Sequence, residues 1–151
     1  MAIVAGYVPF GRVILGMNEN EARRIFLALN NHSPANTTRL ITTPELGAVT
    51  QYIQTKTGIP EVLIHPTDSS LLATATGIEQ HPGRLVPAPK VLTGAGDNLN
   101  AGFCWGLLNG FHRPDCLLLG MAASGAYIQN GYSPTVADLL AYLRIWATET
   151  N

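Results

Sequence analysis

Short apolar runs alternate with longer segments of helical periodicity through the first half of the chain. Residues 12–16 form an apolar run closed by glycine and residues 61–65 form another, so each predicts a β-strand. Between them, a helical pattern opens at Asn18 and extends to Leu29. A second helix is predicted from Thr43 to Lys56, because a capping hydroxyl followed by proline is typical of a helix start.

The second half of the chain is mainly helical. Residues 71–76 and 84–86 predict two further strands, and helices are predicted over residues 97–109, 114–129 and 134–147. Strands mixed with helices, followed by a helical C-terminal part, are typical of a layered α/β domain. A chain of 151 residues is expected to form one such domain.

Composition and charge narrow the classes of function. With 46% hydrophobic and 13% charged residues, the chain can bury a core and is not expected to be disordered. Its net charge of −1 predicts no surface for nucleic acid or anionic lipid, and its longest apolar stretch, residues 116–128, is too short to span a membrane. Cys104 and Cys116 are expected to be buried free thiols of a cytoplasmic protein.

The most informative segment covers residues 92–103, with the sequence LTGAGDNLNAGF. Gly94, Ala95 and Gly96 predict a tight turn whose backbone N–H groups point outward, and the helix that follows adds a partial positive charge. This arrangement predicts an anion hole. Asp97 lies at its mouth, where a carboxylate can accept a proton from an attacking hydroxyl, but the local pattern favours a helix cap equally well.

Residues 93–97 (TGAGD) with residues 100–103 (NAGF) resemble the C-terminal signature of the ribokinase-like (PfkB) carbohydrate kinases. Asn18 and Glu21 resemble the NxxE motif with which that family places metal and phosphate. The same spacing is also that of a capping box, which needs no metal. The resemblance covers nearly all of residues 1–151, as the C-terminal half of a kinase about twice this length.

The resemblance implies a partial ribokinase-like fold, a three-layer α/β/α sandwich, and ATP-dependent transfer of a phosphoryl group to a hydroxyl of a sugar or nucleoside. It implies that Asp97 is the catalytic base and that the turn at residues 94–96 is the anion hole. Asn18 and Glu21 would act on Mg²⁺ through its bound waters. His65 and Thr67 would contact the nucleotide, although a hydrogen-bonded structural role is the favoured alternative for His65.

Two departures from the family pattern accompany this resemblance. Val91 and Leu92 stand where the family often has Asp-Thr, and residues 65–70 lack the glycines of the usual nucleotide loop. The resemblance also implies that the sugar-binding surface belongs to an N-terminal half of the kinase, so we expect self-association or pairing with a separate N-terminal polypeptide. The alternative functions are a noncatalytic nucleotide-binding or interaction module, or a fragment that is inactive without its substrate half.

Overall fold

The computed structural model of the chain describes residues 2–30 and 43–149. These residues form α-helices, β-strands and one 3₁₀ turn at Val8–Phe10. In chain order the elements are α1 (Ala2–Ala5), β1 (Ile14–Asn18), α2 (Glu19–Leu29), α3 (Thr43–Thr57), β2 (Glu61–His65), β3 (Ser69–Thr74), β4 (Gly77–Pro82), α4 (Ala95–Leu108), α5 (Arg113–Asn130) and α6 (Val136–Glu149).

The strands form one mixed sheet in the order β1-β2-β3-β4. β1 runs parallel to β2, with Asn18 opposite His65, and β2 runs antiparallel to β3, with Leu63 opposite Leu72. The carboxyl ends of β1 and β2 therefore meet at the same edge of the sheet. β3 is buried along its whole length and β2 along all but its last residue, which explains the apolar runs at residues 62–64 and 71–73 within them.

The described residues divide into two compact units. One contains the residues up to Pro66 together with Leu71–Glu79, and the other contains Thr67–Ser70 together with the residues from Gln80 onward. That the whole chain forms one domain stays a prediction. The core of the first unit is built from α2, α3 and the strands, and consists of Met17, Ala22, Leu46, Val49, Ile53, Ile59, Val62, Ile64, Leu71 and Ala73.

In the second unit, α4 packs against α5, and α5 packs against α6. The contact between α4 and α5 is close because Gly102 carries no side chain. A Cβ atom added there would lie 2.6 Å from the carbonyl oxygen of Leu119 and 2.8 Å from the Cβ atom of Ala123. The small residues at this contact therefore allow α4 and α5 to pack closely.

Most predicted elements are confirmed, and β4 is the main exception. The predicted strand at residues 84–86 is wrong, and a strand lies instead at Gly77–Pro82. In this strand two polar residues are more buried than the isoleucine: Glu79 and His81 are partly buried, while Ile78 is 41% exposed. The segment that was expected to be a strand buries Val86 but leaves Leu85 79% exposed, and the prolines at positions 87 and 89 disfavour strand pairing there.

The structure also tests the expectation for the cysteines. Neither cysteine forms a disulfide bond within the described residues; Cys116 is buried as expected, whereas Cys104 is exposed, so its expected burial is wrong. Cys104 lies on the exposed side of α4. No described helix is both long enough and apolar enough to cross a membrane.

Candidate functional site

The N-terminus of α4 is built on a left-handed glycine. Gly94 is the N-cap residue with φ of 93°, a backbone conformation that glycine adopts without a steric penalty. Its carbonyl oxygen accepts hydrogen bonds from the backbone N of Asn98 at 3.1 Å and from its Nδ2 at 2.9 Å. The Ala95 N–H donates to the carbonyl oxygen of Leu92 at 3.2 Å, which closes the turn ahead of the helix.

This turn leaves backbone donors available to a ligand. The first N–H groups of any helix have no acceptor within that helix, and no side chain caps α4. The Ala95 N–H is used by Leu92, whereas the N–H groups of Gly94, Gly96 and Asp97 have no acceptor among the residues that the structure describes. Three free donors at the positive end of a helix form a site suited to an anion.

Asp97 is the third residue of α4 and is exposed. Gly94 holds the N-cap position, and no side chain makes a capping hydrogen bond to this helix, so the interpretation of Asp97 as the cap is wrong. Within the described ranges, its carboxylate makes no hydrogen bond or ion pair. An unpaired carboxylate at the mouth of an anion site is available to accept a proton from a hydroxyl group.

A cavity of about 360 Å³ lies beside this turn, within the same unit. Asn98, Ala101 and Trp105 line it from α4, while Val136 and Leu139 line it from α6. Its walls are mainly apolar, and Trp105, which is 40% exposed, presents an aromatic ring to it. Because Asn98 directly follows Asp97, the cavity suits a flat, largely apolar group that is joined to an anion held at the turn.

Tyr127, in the last turn of α5, is a site residue that the sequence analysis missed. Its hydroxyl donates to the carbonyl oxygen of Thr93 at 2.8 Å, and a Cβ atom on Gly94 would lie 2.8 Å from the same hydroxyl oxygen. A tyrosine that follows a run of small residues is usually a packing residue. The sequence feature that could have revealed it is the phenolic hydroxyl, a polar group that follows a run of small, mainly apolar residues.

Asn18, Glu21 and His65 come together at the carboxyl ends of β1 and β2. The predicted capping box is confirmed, since the Glu21 N–H donates to Asn18 Oδ1 at 2.9 Å and the Asn18 N–H donates to Glu21 Oε2 at 2.8 Å. The half-buried His65 is the register partner of Asn18. Ligands commonly bind at this end of parallel strands.

The oxygen atoms of Asn18 and Glu21 suit magnesium only through its bound waters. Asn18 Oδ1 and Glu21 Oε2 are occupied by the capping box, which leaves one carboxylate oxygen of the exposed Glu21 for a metal-bound water. No group of three or more His, Cys, Asp or Glu residues in the described ranges could hold a metal ion directly. These residues therefore fit a magnesium ion whose remaining ligands are water and phosphate.

The predicted site residues thus fall into two groups. Residues 94–97 form one group in the second unit, and Asn18, Glu21 and His65 form the other in the first unit. Thr67 is exposed on the turn between β2 and β3, two residues after His65, and its four-residue segment belongs to the second unit.

Comparison with solved structures identifies the fold. The ribokinase of Thermotoga maritima matches with a TM-score of 0.71 at 19% identity, over 87% of this chain and 42% of that chain. The Arabidopsis thaliana ribokinase, solved with ribose and ATP, matches with a TM-score of 0.66 at 24% identity, over 86% of this chain and 40% of that chain. The predicted ribokinase-like fold is confirmed.

Sequence comparison identifies the family. A 5-dehydro-2-deoxygluconokinase of Geobacillus thermodenitrificans is 41% identical over 70 residues, which are 46% of this chain and 20% of that protein. This chain therefore matches only a part of the length of its named relatives. The family model for prokaryotic ketohexokinase matches residues 7–146. Because that match covers nearly the whole sequence, the chain belongs to the prokaryotic ketohexokinase family.

Proposed function

We propose that this chain supplies the nucleotide-binding and phosphoryl-transfer part of an ATP-dependent kinase that acts on a hydroxyl of a sugar or sugar-like substrate. The observation that carries the proposal is the N-terminus of α4, where the free N–H groups of Gly96 and Asp97 adjoin the unpaired carboxylate of Asp97. Membership in a kinase family and the names of the relatives support the same activity.

In the proposed reaction, Asp97 accepts the proton of the substrate hydroxyl while the hydroxyl oxygen attacks the γ-phosphorus of ATP. The bond between that phosphorus and the bridging oxygen breaks, and ADP leaves with the bonding electron pair. Residues 94–96 form the anion hole, in which Gly94, Gly96 and the adjoining Asp97 offer N–H groups while Ala95 closes the turn. Positioning and neutralisation of charge supply most of the catalysis in phosphoryl transfer.

The remaining candidate residues are assigned to the nucleotide and its metal. The base of the nucleotide would occupy the cavity beside Trp105, in the second unit. For His65 and Thr67, the resemblance to the kinase family alone supports a role as nucleotide contacts. Asn18 and Glu21 would orient the waters of a magnesium ion. When bound, this ion would neutralise negative charge on the phosphate oxygens.

A noncatalytic nucleotide-binding module is the second candidate. The observation in its favour is that the groups suited to a nucleotide, the free N–H groups at the start of α4 and the cavity beside Trp105, bind it without any sugar-binding surface. A chain that lacks a sugar-binding surface would still bind the nucleotide. It would transfer a phosphoryl group only together with a partner that supplies that surface.

The first experiment measures the thermal stability of the purified chain with and without MgATP and MgADP. A ligand that binds only the folded state raises stability by about 2.7 kcal/mol when its concentration is about 100 times Kd. We expect a dose-dependent rise in Tm. No rise with either nucleotide would contradict both candidate functions.

The second experiment separates the kinase from the binding module with Asp97→Asn. Removing a positioned general base should lower kcat for sugar phosphorylation about 10²- to 10⁴-fold, while the Kd for MgATP should change less than about twofold. Asp115→Asn is the matched control, because Asp115 is likewise exposed and is the third residue of α5. Equal activity of the two variants would exclude Asp97 as the base. Nucleotide binding without turnover on any sugar of a panel would favour the module.

A further inference from the structure

We propose that Tyr127 is a positioning residue that aims the Gly94 N–H at the bound phosphate. This inference rests on the proposed function and assigns a role that neither the family match nor the sequence motif contains. Tyr127 lies outside the turn itself, on α5. It acts through the backbone of Thr93 and Gly94, which it contacts directly.

α5 is placed firmly against α4. At Gly102, a Cβ atom would meet the Leu119 carbonyl oxygen at 2.6 Å, so the two helices touch backbone to backbone with no space for a side chain between them. At Gly106, a Cβ atom would meet the Sγ atom of the buried Cys116 at 2.9 Å. Since this contact runs along both helices, the end of α5 that carries Tyr127 has a fixed position relative to the start of α4.

The segment that leads into the turn is held by α5. Two successive residues of α5 hold it, because the Tyr127 hydroxyl donates to Thr93 O at 2.8 Å and Ile128 O accepts from the Lys90 N–H at 2.7 Å. α5 itself ends in a defined cap, with the Gly131 N–H donating to the Tyr127 carbonyl oxygen at 2.7 Å. Residues 90–93 are therefore tied to a rigid helix end at two points.

The Tyr127 hydroxyl also sets the direction of the Gly94 N–H. A trans peptide bond is planar, and its C=O and N–H groups point in opposite directions. The carbonyl oxygen of Thr93 and the N–H of Gly94 belong to the same peptide group. When the Tyr127 hydroxyl holds that carbonyl oxygen, the Gly94 N–H is turned away from the tyrosine. The hydroxyl thus fixes the direction of a donor that we assign to the anion hole.

The tyrosine also restricts Gly94 by contact. A Cβ atom on Gly94 would lie 2.8 Å from the hydroxyl oxygen and 3.3 Å from Cζ of Tyr127, so the phenol group packs directly on the Cα of the glycine. This contact and the hydrogen bond act on the same peptide group. Removal of the hydroxyl should release the orientation of that peptide while the ring keeps most of its packing.

The experiment compares Tyr127→Phe with wild type by recording the amide NMR signals of Gly94 and Gly96 during titration with MgATP. In wild type we expect saturable shifts of both signals. In Tyr127→Phe we expect the shift of Gly94 to fall by half or more while that of Gly96 persists, and Kd to rise about three- to tenfold for the loss of one oriented donor.

The matched control is Tyr52→Phe. Tyr52 is half-buried like Tyr127, and its hydroxyl also makes a single hydrogen bond, to Asn30 Oδ1 at 2.9 Å in the first unit. Loss of one hydrogen bond should lower Tm by about 2–4 °C in both variants. A merely structural role for Tyr127 would leave the two variants alike in their response to MgATP, and that result would overturn the proposal.

The remaining outcomes separate this inference from the proposed function. If the wild-type signals of residues 94–97 do not move with MgATP, the proposed function fails and this inference fails with it. If they move equally in wild type and Tyr127→Phe, only the role of Tyr127 is overturned. Should Tyr127→Phe not fold, Tyr127→Met preserves helix propensity and fills the space with a flexible side chain, and the same selective loss at Gly94 is expected.

Discussion

Among single residues, Gly94 combines a conformation that only glycine adopts easily with a contact that no side chain could share. We predict that Gly94→Ala destabilises the folded chain by about 1–3 kcal/mol, because alanine is strained at a φ of 93°. Its Cβ atom would also displace the Tyr127 hydroxyl from Thr93. Affinity for MgATP should therefore fall as well. Urea denaturation and isothermal titration measure the two effects.

Gly110→Ala is the control for this prediction. Gly110 also has a positive φ, of 76°, but a Cβ atom there would have no neighbour within 4 Å. It follows α4 at the end opposite to the proposed site. Both variants should be destabilised by the strained backbone, Gly94→Ala more strongly because its Cβ atom also meets Tyr127, and only Gly94→Ala should lose affinity. An equal loss of affinity in both would show that binding responds to general stability and not to the turn.

The sequence motif predicted the turn at residues 94–97 but not its internal geometry. Neighbouring glycines indicate a tight turn, yet they do not determine which of them takes the left-handed conformation. Gly94 takes it because the Ala95 N–H bonds to Leu92 and the Gly94 carbonyl oxygen begins the helix. The part played by Tyr127 was beyond prediction, because it depends on how α5 packs against α4, a long-range contact that no local pattern contains.

At the scale of elements, the pairing of α4 with α5 depends on glycine at the contact. We predict that Gly102→Ala destabilises the chain by about 1–3 kcal/mol, since the added methyl group would meet a backbone oxygen at 2.6 Å that cannot move away freely. Gly47→Ala, in α3, meets only the side-chain atoms of Ile78 at 3.6 Å and Leu71 at 3.9 Å. It should stabilise by up to about 1 kcal/mol through helix propensity. Denaturant unfolding of both variants tests the opposite signs.

An ion pair between Glu149, at the C-terminal end of α6, and Arg84 depends on pH. Arg84 donates to both carboxylate oxygens of Glu149 at 2.7 Å, and these hydrogen bonds hold the pKa of Glu149 below its usual value of 4.5. A carboxylate whose pKa is lower in the folded state than in the unfolded state stabilises the folded state at pH values above its unfolded-state pKa. That stability is lost as the pH falls through the folded-state pKa.

We therefore predict that wild type is more stable than Glu149→Gln at neutral pH, and that the difference disappears as the pH falls below 4.5. Unfolding free energies of wild type and Glu149→Gln, measured across this pH range, test the prediction. An Arg84→Met background supplies the control, since Glu149 has no guanidinium partner there and its substitution should have little effect at any pH. A difference that persists at low pH would mean that the glutamate acts by packing and not by charge.

Helices and strands were predicted accurately where burial and local signals at their ends determine the sequence. Helix α3 and strand β2 were found almost to the residue, because local signals mark their ends and burial dominates their sequences. β4 was missed because it is an edge strand of the sheet, and its residues are less buried than those of β2 and β3. A strand that is little buried does not need an apolar sequence. Its most apolar residue, Ile78, is on the more exposed side, so alternation indicates the wrong register or no strand at all.

At the scale of the whole molecule, the edge strand β4 favours association between copies of the chain. β4 ends the sheet order, so one side of its backbone has no partner strand within the described part of the chain. Such an edge pairs readily with another strand unless charge, proline or a covering element prevents it. We therefore predict a concentration-dependent mass above 16.1 kDa in light scattering, as two copies pair along β4.

Ile78→Lys should weaken this association, because a lysine on an edge strand opposes strand pairing while its aliphatic stem retains part of the isoleucine packing. The control is Ile145→Lys, since Ile145 is 43% exposed on α6 against 41% for Ile78 on β4. The two substitutions add the same charge to equally exposed isoleucines, so a difference between them reports the strand edge and not general solubility. A single mass of 16.1 kDa at all concentrations, or equal effects of both variants, would contradict pairing through β4.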